Sequence, residues 1–418
     1  MAQLSDDCFA FGGPMMTVDE TVALIAARLQ PLAEVETVPL AEADGRILAA
    51  DVAAPIALPP FANSAVDGYA IASADLPQDG ERRFSVRGRV EAGSRSDVVV
   101  RPGEAARIFT GAPMPGGTDT VFMQEDVKIE ADGAVVLPAG LKAGANMRPA
   151  GEDVAEGAIV LQAGRRLRPQ DIAMAAALGR VDLTVRRRVR VAIFSTGNEI
   201  VAPGAPRAAS QLFDSNRFML IAMLKRLGCE VSDLNILPDD RDAIGASLRA
   251  VSTEHDLILT SGGVSTGEAD FVKDAVEGAG AMVFWRIAIK PGRPVAMGVI
   301  GGVPLIGLPG NPVASFVTFT HVARPAILAL AGAQPEAAMA TPVRAGFAYK
   351  KKLGRREYVR ASLRRTADGA LEVVKFPREG AGLLSSLVDT DGLVELGEEV
   401  VTVAPGETVG FLPWASLF

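Results

Sequence analysis

Cysteine and histidine are scarce. In 418 residues there are two of each: Cys8, Cys229, His255 and His321. Two cysteines so far apart form no metal or redox pattern, which argues against a disulfide framework and a cysteine-based structural zinc site. Neither histidine belongs to an H-E-x-x-H arrangement, so the site is not expected to depend on imidazole chemistry. Positive charge is also in deficit: 42 Lys and Arg face 50 Asp and Glu, a net charge of −8. Duplex binding relies on cations that neutralise phosphates, so no nucleic-acid partner is expected, although a local basic pocket fits. A transmembrane helix needs roughly 20 continuous apolar residues. The most apolar stretch, residues 296–308, is broken by glycines and Pro304 and reads as a pair of strands. The first residues carry Asp6 and Asp7 and lack the basic start and apolar core of a secretory signal. A cytoplasmic location without a membrane partner is the expectation.

What is present describes a globular chain of several domains. Hydrophobic residues make up 49% and charged residues 22%, ordinary values for such proteins, and the length exceeds what one core usually serves. Residues 17–30 carry an amphipathic helix, with Thr17 and Glu20 forming a capping box and Val18, Val22, Ile25 and Leu29 on one face. Residues 83–137 alternate short strands with Gly/Pro turns, which predicts a small β domain. Residues 169–178 read as a short helix. From Val189 the pattern becomes strand, helix, strand, helix: strands at 189–194, 231–237 and 256–260, helices at 214–227, 241–253 and 270–277. That alternation predicts a mostly parallel sheet with helices on both faces. A helix over 313–331 follows, with Asn311 as N-cap and Pro312 as its first residue. After Gly332 the chain turns β-rich again.

The densest chemistry lies between residues 261 and 312. It reads S-G-G-V-S-T-G-E-A-D at 261–270, K-P-G-R-P at 290–294 and G-L-P-G-N-P at 307–312. Each motif follows an apolar run that reads as a buried strand: 257–259, 283–289 and 303–308. Ligands in open α/β sheets sit beyond the carboxyl ends of the strands. Glycine turns there let backbone N–H groups approach an anion, and a following helix N-terminus adds favourable potential. Lys290 and Arg293, stiffened by Pro291 and Pro294, contribute positive charge. Glu268 and Asp270 supply carboxylates. The set suits a phosphorylated ligand.

Six motifs, in order, resemble those of the molybdopterin molybdenumtransferase family, which includes the E domain of gephyrin: N-S-A-V-D-G-Y-A at 63–70, T-G-A-P at 110–113, G-E-D at 151–153, S-T-G-N-E at 195–199, S-G-G-V-S-T-G-E-A-D at 261–270 and G-L-P-G-N-P at 307–312. The resemblance implies a multidomain α/β plus β fold. A discontinuous N-terminal helical and linker domain would take residues 1–60 and 150–188, and an inserted small β domain residues 61–149. A molybdopterin-binding α/β domain would take 189–336 and a C-terminal β barrel 337–418. It also implies a homodimer whose cleft lies between the α/β and barrel domains of one subunit and the inserted domain of the other. The implied reaction takes adenylylated molybdopterin and molybdate as substrates, with Mg²⁺, and releases AMP and molybdenum cofactor. Molybdopterin adenylyltransferase and molybdoenzyme maturation proteins are the implied partners. The chain departs from the family pattern at Ala62 and Asn198, where Asp is frequent, and at Arg293, where many members have Lys.

Carried onto this sequence, the resemblance marks Asp67, Glu199, Asp270, Lys290 and Arg293 as catalytic, with Glu199 and Asp270 as Mg²⁺ ligands. It marks Thr110, Asp153, Ser195, Thr196, Gly197, Ser261, Gly262, Gly263, Ser265, Gly267, Pro309, Gly310, Asn311, Arg356 and Ser385 as binding the pterin and its phosphates. Simpler roles stand beside these. Asp67 fits a turn-forming aspartate, Asp270 a helix cap, Asp153 a partner of Arg148, and Lys350, Lys351 and Lys352 a solvated basic face. Two other functions also fit: a non-catalytic molybdopterin-binding scaffold, and the adenylyltransferase itself, which would need only the α/β domain.

Overall fold

A computed structural model describes residues 15–94, 97–262, 276, 278, 280–336 and 338–417. The first helix, α1 (Val18–Arg28), forms where its capping box predicts: Thr17 accepts from the Glu20 N–H, and Glu20 accepts from the Thr17 N–H at 2.7 Å. Its buried face of Val18, Ile25 and Leu29 joins the core of the α/β domain. α1 lies in the segment assigned from sequence to the N-terminal helical and linker domain, and its apolar stripe packs on the later helix Pro312–Leu330. The linker segment is built from two antiparallel ribbons, Val35–Pro39 with Asp182–Arg186 and Val52–Ala53 with Ile159–Leu161, and from α2 (Pro169–Ala177).

The small β domain is a sheet of six strands in the order Thr120–Met123, Gly68–Ile71, Glu104–Ile108, Glu81–Val90, Val135–Pro138 and Lys128–Ile129. Gly68 is obligatory there. A Cβ on it would sit 1.7 Å from the Phe122 carbonyl oxygen of the adjacent strand, so any side chain would push the strands apart.

The α/β domain holds the strands β1 (Arg190–Thr196), β2 (Glu230–Leu237), β3 (Leu257–Ser261), β4 (Gly280–Arg286), β5 (Pro294–Ile300) and β6 (Val303–Leu308), in the sheet order β2-β1-β3-β6-β5-β4. The pairings from β2 to β6 are parallel, and β5 and β4 close the sheet antiparallel. Period-two burial feeds two cores. Val191 and Ile193 of β1 pack with α1, α3 (Asn216–Arg226) and α5 (Pro312–Leu330), whereas Phe194 packs with α4 (Arg241–Val251) on the opposite face. The register aligns Ser195 with Ser261 and Ser261 with Leu308. The ends of β1, β3 and β6 are therefore level, and their loops leave along one edge.

Two helices differ from the sequence reading. α3 begins at Asn216, because Asp214 turns its carboxylate onto the buried Arg217 at 2.9 Å. α5 is one rod with a π turn at Phe319–Ala323; Pro325 has no N–H to return to the preceding turn, which loosens the ladder there. α5 is also the one helix among the described residues long and apolar enough to cross a bilayer, and 78% of it is buried inside the protein.

The C-terminal domain is a closed barrel. Arg356–Arg365 pairs with Leu371–Lys375, then Thr341–Ala345, Thr408–Pro413 and Gly392–Leu396 follow, and the last returns to Arg356–Arg365. The run 283–289, read as one strand, divides: β4 ends at Arg286, and Ile289–Lys290 pairs in parallel with Arg356 and Glu357 of the barrel. A second tie runs from the Val313 N–H at the start of α5 to the Ala381 carbonyl at 2.9 Å. These two ties fix the barrel against the strand ends.

Arg356 adds a third. Its guanidinium binds Asp19 of α1 at 2.8 Å, Glu398 at 3.1 Å and Glu395 at 3.5 Å. Beside it, His321 stacks on Tyr358 with ring centroids 4.0 Å apart, and its buried Nε2 has no hydrogen-bond partner among the described residues. Burial, with Arg356 and Arg324 nearby, lowers the His321 pKa from 6.5 to about 3. The folded protein therefore keeps His321 neutral while the unfolded chain takes up a proton below pH 6.5. This stability is full above pH 6.5 and is lost as pH falls towards the folded value. Between pH 7 and pH 5 the wild type should lose about 2 kcal/mol more than His321→Phe, because each tenfold rise in proton uptake by the unfolded chain costs about 1.36 kcal/mol. Denaturant titrations at the two pH values measure this, and equal losses would contradict it.

Candidate active site

The level strand ends build the floor of the site from glycine and hydroxyl residues. Gly262 has a φ of +88°, and a Cβ on it would lie 3.1 Å from the Thr196 carbonyl oxygen. Gly310 packs directly on Gly262. Ser195 Oγ and Thr196 Oγ1 are buried and, among the described residues, have no hydrogen-bond partner. Buried orphan hydroxyls at a strand end are the groups a ligand satisfies. Asn216, at the start of α3, stitches the floor: its Nδ2 donates to Ser261 Oγ at 2.9 Å and to the Gly310 carbonyl at 2.7 Å. Glu199 curls back over the turn, its carboxylate oxygens 2.6 Å from where a Cβ on Gly197 would stand. Pro309, Gly310 and Asn311 lead into α5, where the Ser315 N–H donates to the Asn311 carbonyl at 2.8 Å. Gly263, Ser265, Gly267 and Asp270, which the sequence motifs single out, lie outside the described residues. So does the helix predicted at 270–277, apart from Val276.

A cationic cleft adjoins this floor where the Val313 N–H meets the carbonyl of Ala381, one of the residues that line the cleft. The cleft, of about 190 Å³ between the K-P-G-R-P loop and the barrel, is lined by Lys290, Tyr349, Arg360, Lys375 and Arg378, with Glu357 and Glu379 as its carboxylates. Lys290 Nζ donates to Glu357 at 3.1 Å and to Tyr349 OH at 3.2 Å. Burial opposes the Lys290 charge, but these two hydrogen bonds outweigh it and the pKa is raised. Arg360 is steered by Ser386 Oγ at 3.0 Å and the Gly380 carbonyl at 3.2 Å. In a chain of net charge −8, such a local excess of cations marks an anion site. Arg293 is exposed and lines a neighbouring cavity, with Lys352 and Arg355, that shares Lys290 and Pro291 with the first.

The remaining sequence-derived residues fall elsewhere. Asp67 and Thr110 meet on the small β domain, where the Thr110 N–H and hydroxyl donate to Asp67 at 2.8 and 2.7 Å. Those bonds, with Arg107 nearby, lower the Asp67 pKa. Among the described residues, no hydrogen bond or ion pair joins residues 61–149 to the α/β or barrel domains. Asp153 is exposed; Arg148 pairs with Glu152 at 3.9 Å instead of with Asp153. Lys351 is no solvated cation, since its buried ammonium donates to the carbonyls of Lys352, Arg355 and Glu398. Arg356 is engaged by three carboxylates, as above, and Ser385 is exposed while its neighbour Ser386 turns inward. Sequence reasoning missed Arg360, Lys375, Arg378, Tyr349 and Asn216. The clustered Lys375 and Arg378 around a proline were the available signal for two of them.

Comparison with known proteins agrees with this architecture along the whole chain. The MoeA N-terminal region (domain I and II) matches residues 16–179, a probable molybdopterin binding domain matches 192–329, and the MoeA C-terminal region (domain IV) matches 342–414. The molybdopterin molybdenumtransferase of Haemophilus influenzae is 38% identical over 409 residues, covering 96% of this chain and 100% of that protein. The chain belongs to the molybdopterin molybdenumtransferase family. Molybdopterin molybdenumtransferase 2 of Mycobacterium tuberculosis is 34% identical over 403 residues, with 94% of this chain and 98% of that protein covered. The crystal structure of the molybdopterin biosynthesis moeA protein of Pyrococcus horikoshii superposes with a TM-score of 0.81 at 29% identity, covering 96% of this chain and 100% of that one. The family resemblance and the multidomain fold read from the six motifs therefore hold, as does the assignment to the transferases of molybdenum cofactor biosynthesis.

Proposed function

We propose that this enzyme inserts molybdenum from molybdate into adenylylated molybdopterin in a Mg²⁺-dependent reaction, releasing AMP and molybdenum cofactor. The observation that carries this reading is the cationic cleft at the meeting of strand-end loops and barrel. Molybdate is a dianion, and the pterin bears a phosphoanhydride to AMP. Cleaving that bond needs charge stabilisation on the phosphoryl oxygens and no protein nucleophile. Lys290, Arg360, Lys375 and Arg378 supply positive charge, while Ser195, Thr196 and the glycine turns offer neutral donors to the pterin and its phosphate. The dithiolene sulfurs that accept the metal belong to the substrate, so no protein thiol is needed: burial pushes the Cys229 thiol up to about 12.

Among the described residues there is no group of three or more metal-binding side chains. Mg²⁺ keeps several waters and takes one or two carboxylates, so Glu199, together with Asp270, suits it. When bound, the cation would neutralise phosphate oxygens. We place the reaction in a cytoplasmic homodimer, with Asp67 and Thr110 of one subunit completing the cleft of the other. Among the described residues their domain has no tie to the strand ends of the same chain, which supports that reading. Molybdopterin adenylyltransferase as supplier and maturation proteins as receivers are the corresponding partners. The adenylyltransferase reading itself is disfavoured, because that activity would leave the matched N- and C-terminal regions without a role; turnover of ATP by the purified chain would revive it.

Lys290→Ala should raise KM for the anionic substrates by about 10- to 100-fold, the scale of one charge-assisted contact. Arg293→Ala should change it less than about threefold, because Arg293 faces the other cavity. Arg293 is exposed and contributes little to folding, whereas Lys290→Ala also removes one partner of the buried Glu357 carboxylate, so its kinetics are read at a temperature where the variant is folded. Steady-state kinetics at two salt concentrations checks this, with the Lys290→Ala defect easing at low salt. Unchanged KM in Lys290→Ala would remove the cleft from the account.

A further inference from the structure

Of the two carboxylates lining the cleft, Glu357 is only 1% exposed, and its two oxygens serve different partners. Oε2 accepts from Lys290 Nζ at 3.1 Å and from Tyr349 OH at 2.9 Å, while Oε1 accepts from Arg355 Nε at 2.7 Å. The arrangement is set by the backbone, since the parallel pairing places Lys290 opposite Glu357. The other charged groups near Lys290 are mostly cations. Arg360, Lys375 and Arg378 line the same cleft, Arg293 and Arg355 line the neighbouring cavity, and Glu379 is taken up by Lys375 at 3.6 Å. Lys375 also approaches the Tyr349 ring, at 5.9 Å from its centroid, as Lys290 does at 5.8 Å.

We propose that Glu357 is a positioning residue for Lys290, holding its ammonium group charged and directed along the cleft so that it meets the anionic substrate as a cation. The proposal rests on the function given above. A half-buried lysine is driven to lose its proton by burial. Glu357 foremost, with Tyr349, outweighs that effect, in keeping with the raised Lys290 pKa. Tyr349 contributes a hydrogen bond to each member of the pair and keeps Glu357 from rotating wholly towards Arg355. Arg355 in turn prevents Glu357 from neutralising Lys290 completely, which leaves the lysine free to attract a substrate anion.

The test is the pH dependence of Lys290 labelling by an amine-reactive acylating reagent, followed by peptide mass spectrometry on full-length folded protein. In Glu357→Gln the midpoint should fall by about one pH unit or more, so that labelling at pH 8 rises about tenfold. In the same variant the KM for molybdate should begin to climb about one pH unit lower than in the wild type, with kcat changed less. Glu357→Asp, which keeps the charge, should restore most of the wild-type profile. A folded Glu357→Gln protein with an unchanged labelling midpoint would overturn the proposal. Should Glu357→Gln not fold, Tyr349→Phe must show a smaller shift in the same direction, and no shift there would overturn it equally. Labelling needs no turnover. A wild type without molybdate-dependent AMP release would sink the proposed function, while the labelling midpoint would still decide the relation between Glu357 and Lys290.

Discussion

Glu199→Gln is expected to slow molybdate-dependent AMP release by about 10²- to 10³-fold while the protein remains folded. The carboxylate stands at the carboxyl end of β1, folded over Gly197, beside the orphan hydroxyls of Ser195 and Thr196. It is exposed and takes no part in the hydrophobic cores, so the amide should cost little stability. A lost cation ligand removes several kcal/mol of transition-state charge stabilisation, and each 1.36 kcal/mol is about tenfold in rate. The residual activity should require more Mg²⁺ for half-saturation. Single-turnover AMP release across a Mg²⁺ series gives the answer; normal turnover at low Mg²⁺ would remove Glu199 from metal binding.

The second large effect is a recovery. Asp67→Ala and Glu199→Gln should each be strongly impaired as homodimers, because each removes one group from both clefts. When the two proteins are mixed under conditions of subunit exchange, a heterodimer contains one cleft with both defects and one with neither. Activity should return to about half the wild-type value per heterodimer, by site counting in a twofold dimer. The motivation is the position of Asp67, held by Thr110 on a domain that makes no hydrogen bond or ion pair with the α/β or barrel domains among the described residues. Heterodimers confirmed by differential tagging that stay inactive would place Asp67 and Glu199 in one chain's cleft, or leave Asp67 with a purely local role.

The strand-end loops were legible because glycine, proline and charge recur there against apolar runs, and the sheet rule places such loops on one edge. The register of Ser195, Ser261 and Leu308 realises that edge. The barrel side of the site was far less legible. The family resemblance marks Arg356 and Ser385; in the structure, barrel closure turns Arg356 to Asp19, Glu395 and Glu398 and brings Arg360 and Ser386 together. Arg356 and Arg360 lie four residues apart on one strand and so share a face; which of them meets the cleft depends on where along that strand other segments cross it, and the sequence does not show this. The placement of α1 was hidden for a related reason: its amphipathic stripe shows that one face is buried, but not which domain covers it. The division of residues 283–289 between β4 and the barrel-paired strand at Lys290 was equally invisible, because both halves are apolar.

The most direct test of the central claim is mass spectrometry of the pterin and nucleotide species after incubating the purified protein with adenylylated molybdopterin. With molybdate and Mg²⁺ together, AMP and a molybdenum-containing pterin should appear in equal amounts. With either one withheld, the adenylylated substrate should persist. Loss of AMP from the substrate without molybdenum gained by the pterin, or an unchanged substrate in the complete mixture, would contradict the account.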